Sequence, residues 1–146
     1  MKATELMIGD WIVIDEPDRY AGATGQIKSL SYHQESDAAY FFVFIQGKFG
    51  YLLKEVCSDD IRPIPLTPEI LKKNGFEDIG DETWQLEEKP YWFWVDFLNH
   101  QYGCEFDTST YENEDDEHRL KLYGIPAVHE LQHAMKLCGI EKQIEL

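Results

Sequence analysis

The chain has 146 residues, 43% of them apolar and 14% aromatic, which is enough for a packed core in one domain or two small modules and argues against a disordered chain. Its 28 acidic residues against 13 basic ones give a formal charge of −15. That balance opposes nucleic-acid binding, because affinity for a phosphate backbone rests on Lys and Arg replacing counterions.

Residues from Leu6 to about Ile64 read as all-β. Gly9-Asp10 is a turn pair ahead of Trp11-Ile12-Val13-Ile14, a short apolar strand. Asp15-Glu16-Pro17-Asp18 is a loop, and Gly22 and Gly25 bracket the next turn. Gln26 to Tyr32 alternates polar and apolar residues, the period of a half-buried strand. Ala39 to Ile45 is a dense run of β-formers, expected as a central strand buried on both faces. Gln46 to Gly50 is a hairpin turn with Tyr51-Leu52-Leu53 as the returning strand. Short strands with Gly-rich turns at this spacing predict a strongly bent sheet or an SH3-like barrel.

Arg62-Pro63-Ile64-Pro65-Leu66-Thr67-Pro68 marks a boundary between a module over 1–66 and one over 67–146. Thr67 suits an N-cap and Pro68 the first position of a short helix that stops at Gly75. Strands follow at Thr83–Leu86 and Tyr91–Val95, with weaker candidates at Gly103–Phe106 and His118–Leu122 around an acidic hairpin loop. Ile125–Cys138 is an amphipathic helix ended by Gly139, and Gln143–Leu146 is a candidate last edge strand. The expected fold class is therefore α+β: a bent N-terminal β-sheet, then a short antiparallel sheet packed by a C-terminal helix. The charge follows this division. Residues 1–62 hold 10 acids and 6 bases, whereas residues 63–146 hold 18 acids and 7 bases. The acidity of the second module serves solubility, or it meets a basic protein partner.

One motif asks for chemistry. His129-Glu130-Leu131-Gln132-His133 matches H-E-x-x-H, in which two His one helical turn apart reach one Zn²⁺ and the Glu activates a bound water. Three considerations weigh against it. On a helical wheel Ala127, Val128, Leu131, Ala134, Met135 and Cys138 form one apolar arc, so His129 and His133 are expected to face water. A catalytic zinc needs a third protein ligand, but in the extended form of the motif Lys136 stands where Gly is required and Gly139 where the third His is required. The module of about 80 residues is also small for a metal and a substrate cleft. No catalytic residue, cofactor or metal is therefore assigned, with His129 and His133 kept as candidate ligands for a minimal zinc-dependent hydrolase.

Two surfaces suggest contacts instead. Trp92 and Trp94 share one face of the Tyr91–Val95 strand, opposite Tyr91, Phe93 and Val95, and form a contact patch if exposed. Glu112, Glu114, Asp115, Asp116 and Glu117 form an acidic cluster without the spaced acids and bend Gly of an EF-hand. Cys57, Cys104 and Cys138 are odd in number, widely spaced and outside any C-x-x-C, so they are expected to act as small buried hydrophobes. No apolar run approaches the roughly 18 residues of a membrane span, and Met1–Leu6 lacks the pattern of a secretory signal. The expectation is a cytoplasmic protein without membrane contact. Oligomeric state stays open, since an unpaired terminal strand could pair across a dimer.

Met1-Lys2-Ala3-Thr4-Glu5-Leu6-Met7-Ile8-Gly9-Asp10-Trp11, then Ile64-Pro65-Leu66-Thr67-Pro68-Glu69-Ile70-Leu71 with Asn74-Gly75-Phe76, then Val128 to His133 with Gly139 and Ile144-Glu145-Leu146, resembles an uncharacterised family of small proteins from Bacteroides-type bacteria, their phages and mobile elements. The resemblance carries no known activity, so it transfers no catalytic residue. The family helix often has Asn where this chain has His133, which makes H-E-x-x-H an incidental variant of a structural helix. The leading expectation is a non-enzymatic accessory protein acting through protein–protein contacts. Nucleic-acid binding through the N-terminal barrel is a further alternative.

Overall fold

Period-two alternation builds the first sheet. The computed structural model describes residues 5–33, 38–47, 50–89, 91–106, 119–123 and 127–146, in two compact units, Met1–Ile64 and Pro65–Leu146. The first unit is a curled five-stranded antiparallel sheet of β1 (Trp11–Ile14), β2 (Thr24–His33), β3 (Ala38–Gly47), β4 (Gly50–Cys57) and β5 (Ile61–Pro63), in the order β4-β3-β2-β1-β5. Ile12, Ile14, Ile27, Phe41, Val43, Ile45, Val56 and Ile61 form one buried cluster on its concave side. Burying each such side chain is worth about 1.5–3 kcal/mol, so this row holds the curl. β3 is buried on one face only. Tyr40, Phe42 and Phe44 are half-buried between the buried Phe41, Val43 and Ile45, so the expectation of burial on both faces is corrected: the aromatic run is a one-sided strand whose outer residues are also apolar.

The Gly9-Asp10 pair ties the start of this unit to β2. Gly9 adopts φ +100°, a conformation that other residues reach only with strain. Its amide donates to the Ile27 carbonyl at 2.8 Å, and the Ile27 amide returns to the Asp10 carbonyl at 3.0 Å. The Asp10 side chain is buried and accepts the Met7 amide at 2.7 Å. At the β4 edge, Lys54 reaches the loop that follows β1, where its ammonium lies 2.5 Å from both Glu16 and Asp18 and 5.3 Å from the Tyr20 ring centroid.

The second unit opens with helix α1 (Pro68–Lys73), with Pro68 in its first turn and the Thr67 hydroxyl accepting the Ile70 amide at 3.4 Å. An antiparallel sheet follows: β6 (Glu77–Gly80), β7 (Thr83–Glu88), β8 (Tyr91–Asp96), β9 (Gln101–Phe106) and β10 (Arg119–Tyr123), in the order β10-β9-β8-β7-β6. Helix α2 (Val128–Leu137) packs on β9. The class is α+β, as the element pattern predicts; β6 is an additional strand whose sequence, Glu77-Asp78-Ile79-Gly80, carries no apolar alternation and whose four residues are all exposed.

Gln143–Leu146 adds no strand. The tail is instead held by Asn74, which is buried at the end of α1. The Asn74 side-chain amide donates to the Ile70 and Glu145 carbonyls, each at 2.8 Å, and its carbonyl accepts the Glu145 amide at 2.8 Å. Ile140 and Ile144 are buried, so the tail docks by anchors four residues apart rather than by a ladder.

Asn74→Ala leaves the Glu145 amide without its acceptor and is expected to lower unfolding free energy by about 1–3 kcal/mol in denaturant titration; an unchanged midpoint would refute the clamp. The Lys54 ammonium first, and the Tyr20 amide second, hold the Asp18 carboxyl below its ordinary value of 3.8, while Asp18 and then Glu16 raise Lys54 above 10.5. The lowered Asp18 pKa contributes stability above pH 3.8 that is lost as pH falls through the folded value, and the raised Lys54 pKa contributes stability below pH 10.5 that is lost as pH rises through its own. Between about pH 7 and pH 3 the thermal midpoint should therefore fall less in Lys54→Met than in the parent chain.

Candidate functional site

The H-E-x-x-H helix forms where the wheel places it, with Val128, Leu131, Ala134 and Met135 buried. The histidines do not both face water. His129 is only 6% exposed, and its first-turn neighbours Ala127 and Val128 are buried as well. The expectation of a solvent-facing pair is corrected on that point. Helical periodicity identifies the arc that meets the sheet, but it carries no information about chain that closes over the other side. Pro65 bridges Ala127 just before α2, and Val128 and His129 in the first turn are buried. One turn later His133 is half-buried, its ring perpendicular to that of His129 at 5.8 Å. Lys136 and Leu137 are exposed, so enclosure fades along the helix.

Glu130 sits beside Tyr102, whose phenol is buried. Burial first, and the Glu130 charge second, raise the Tyr102 pKa above the ordinary tyrosine value. The Ala127 amide pulls it the other way without completing a hydrogen bond. Among the described residues, no group of three or more His, Cys, Asp or Glu is placed to hold a metal ion.

Cross-strand register sorts the second sheet into two faces. Leu86, Phe93 and Cys104 lie side by side, as do Trp84, Val95 and Tyr102, and this face carries the buried residues Leu86, Phe93, Val95, Tyr102 and Cys104. Phe76, just after α1, packs edge-on against Phe93 with centroids 6.3 Å apart. Trp92 and Trp94 project to the opposite face, as alternation requires. Both are half-buried rather than open. Trp94 lies over Gly103, its cross-strand partner, so closely that a β-carbon there would coincide with the indole carbons. Trp92 lines a pocket of about 180 Å³ with Gly75, Glu77, Gln85 and Glu87.

The register explains that grouping: Glu77 pairs with Gln85, and Glu87 with Trp92. Glu77 and Glu87 are exposed. Lys89 approaches Glu87 at 3.6 Å but is itself 82% exposed, so this ion pair is weak. The arrangement sets two carboxylates beside an indole, the combination that attracts a cationic side chain through Coulombic and cation–π terms. Sequence reading found Trp92 but missed Glu77, Gln85 and Glu87. Their signal was alternation within β7, which needs the register before it assigns them to the side of Trp92.

Glu112, Glu114, Asp115, Asp116 and Glu117 lie outside the described residues. Of the three cysteines, only Cys104 is buried, and Cys57 and Cys138 are half-buried, so the expectation of buried small hydrophobes holds for one. Comparison with protein-family models, curated proteins and solved structures returns no match. No helix among the described residues is long and apolar enough to cross a membrane.

The packing of Trp94 is open to a direct test. Gly103→Ala should expel the indole, alter the near-ultraviolet circular dichroism of the tryptophans, and cost about 1–3 kcal/mol through overpacking. A native spectrum with native stability would show that Trp94 does not rest on Gly103.

Proposed function

We propose that the protein is a non-enzymatic accessory protein of phage or mobile-element origin, cytoplasmic, which acts by binding a basic segment of a protein partner. The observation that carries this reading is the pocket of Trp92 with Glu77, Gln85 and Glu87 on the sheet face opposite the buried one. The net charge of −11 over residues 63–146 adds long-range attraction for a Lys- or Arg-bearing segment and speeds encounter. The Glu112–Glu117 cluster would contribute to that field.

A second reading, nucleic-acid binding through the N-terminal barrel, has one observation in its favour. On the outer face of the first sheet Phe44 stacks on Tyr51 at 4.9 Å, the Lys28 ammonium lies 5.5 Å from the Phe44 ring, and Tyr51 and Leu53 are exposed. Stacked aromatics with a cation can receive bases, but the overall charge of −15 opposes the approach of phosphates.

Fluorescence anisotropy with labelled peptides separates these readings. A Lys/Arg-rich peptide should bind the full chain and weaken as salt rises, whereas an acidic peptide and a single-stranded oligonucleotide should not bind. Trp92→Ala and the double variant Glu77→Gln/Glu87→Gln should each weaken binding about tenfold or more, the cost of losing an aromatic or charged anchor. Binding indifferent to these changes and to charge reversal across Glu112–Glu117 would sink the proposal, and selective capture of the oligonucleotide would favour the barrel.

A further inference from the structure

Asn74 and Gly75 stand at the end of α1 for separate structural reasons. Gly75 adopts φ +82°, the left-handed conformation in which helices commonly end and which glycine reaches without strain. Asn74 is 6% exposed and commits its side chain to the backbone. Its amide nitrogen donates to the Ile70 and Glu145 carbonyls, and its oxygen accepts the Glu145 amide, each at 2.8 Å. Together the two residues make an Asn-Gly pair, in which no side chain shields the following backbone nitrogen from the asparagine carbonyl carbon. We propose that Asn74 is a site of spontaneous deamidation, that the docked C-terminal tail gates the reaction, and that the product no longer holds the tail.

In the reaction the Gly75 amide loses its proton, its nitrogen attacks Cγ of Asn74, and a succinimide ring closes. The Cγ–Nδ2 bond breaks and that nitrogen leaves as ammonia. Water then opens the ring at either carbonyl, giving aspartate or isoaspartate with no change of oxidation state. The folded chain holds the reaction back. The Gly75 amide donates to the Lys72 carbonyl at 3.1 Å. With the Asn74 ψ at 13°, the Gly75 nitrogen is turned away from the side chain, and ring closure needs that bond to rotate. Gly75 itself is exposed, so solvent base reaches its nitrogen once these restraints open.

The tail is what keeps them shut. Glu145 supplies two of the three side-chain bonds of Asn74. The tail is anchored in turn by the buried Ile140 and Ile144 and by Lys142, which pairs with Glu88 at 3.0 Å. Either product reverses the clamp. A carboxylate has no hydrogen to donate, so its oxygens meet the Ile70 and Glu145 carbonyls where the amide hydrogens met them before. The new charge is also buried, which is costly without donors to match it. Isoaspartate further routes the main chain through Cβ, lengthening it between the end of α1 and Gly75. Each opening of the tail thus exposes the pair to a step after which the tail does not redock, a one-way loss rather than an equilibrium.

The test incubates the full chain at mildly alkaline pH, in native buffer and in urea, and follows aspartate and isoaspartate at position 74 by peptide mapping with mass spectrometry. Conversion in native buffer should be at least about tenfold slower than in urea, a ratio set by how seldom the docked tail opens. Ile144→Ser should bring the native-buffer rate toward the urea rate. Glu145→Pro removes the clamped amide while sparing every buried side chain, and should do the same in a chain whose circular dichroism stays native. Asn74→Asp, and the converted fraction of the parent, should lose hydrogen-exchange protection over residues 140–146. The proposal is overturned if the parent converts as fast in native buffer as in urea, or if position 74 stays asparagine in urea. It is equally overturned if a folded Glu145→Pro chain converts no faster than the parent, or if the tail of Asn74→Asp stays as protected as the parent's.

Discussion

The burial of one face of the second sheet is the constraint on which the rest of that unit depends. Leu86, Phe93, Val95, Tyr102 and Cys104 must leave water together, and α2 packs on β9 through the arc of Val128, Leu131, Ala134 and Met135. Once that face is committed, the pleat sends Trp92 and Trp94 to the other side. No independent preference places the tryptophans there. They go because their neighbours in β8 are buried, and Gly103 makes room for one of them. The same commitment buries Tyr102 near Glu130 in the first turn of α2. The Trp92 pocket and the buried face under α2 are thus two consequences of one packing decision, on opposite faces of the same sheet.

The first unit obeys the same rule with a different outcome. Its concave side is a row of aliphatic residues with Phe41, and the other side of β3 carries the half-buried Tyr40, Phe42 and Phe44. The β4 edge is occupied by charge: Lys54 spans to Glu16 and Asp18. A charged residue on an edge strand limits unwanted pairing with other chains, and here it also fixes the loop after β1.

In H-E-x-x-H the helical spacing and the tertiary packing act on the same two imidazoles. The spacing does bring the two imidazoles together, with centroids 5.8 Å apart. What differs from the helical wheel is the burial of His129 in the first turn. Of the three considerations against zinc, the solvent-facing helix face is corrected by the burial of His129, while the missing third position of the extended motif is a property of the sequence.

How much was visible beforehand depends on the range of the forces involved. Local chemistry was legible: Thr67-Pro68 starts a helix, Gly9-Asp10 makes a turn, and alternation in Gln26–Tyr32 and in Tyr91–Val95 marks strands. These signals act over a few residues of one chain segment, so composition and spacing carry them. The opposite faces of Trp92 and Phe93 were equally readable, because the pleat is a local property. Tertiary structure alone decided that His129 is buried, that Glu77, Gln85 and Glu87 gather around Trp92, and that Asn74 clamps the tail. Each of these joins segments distant in sequence, and their partners are selected by register and by what closes over a face. Neither quantity is encoded in the period of any single element.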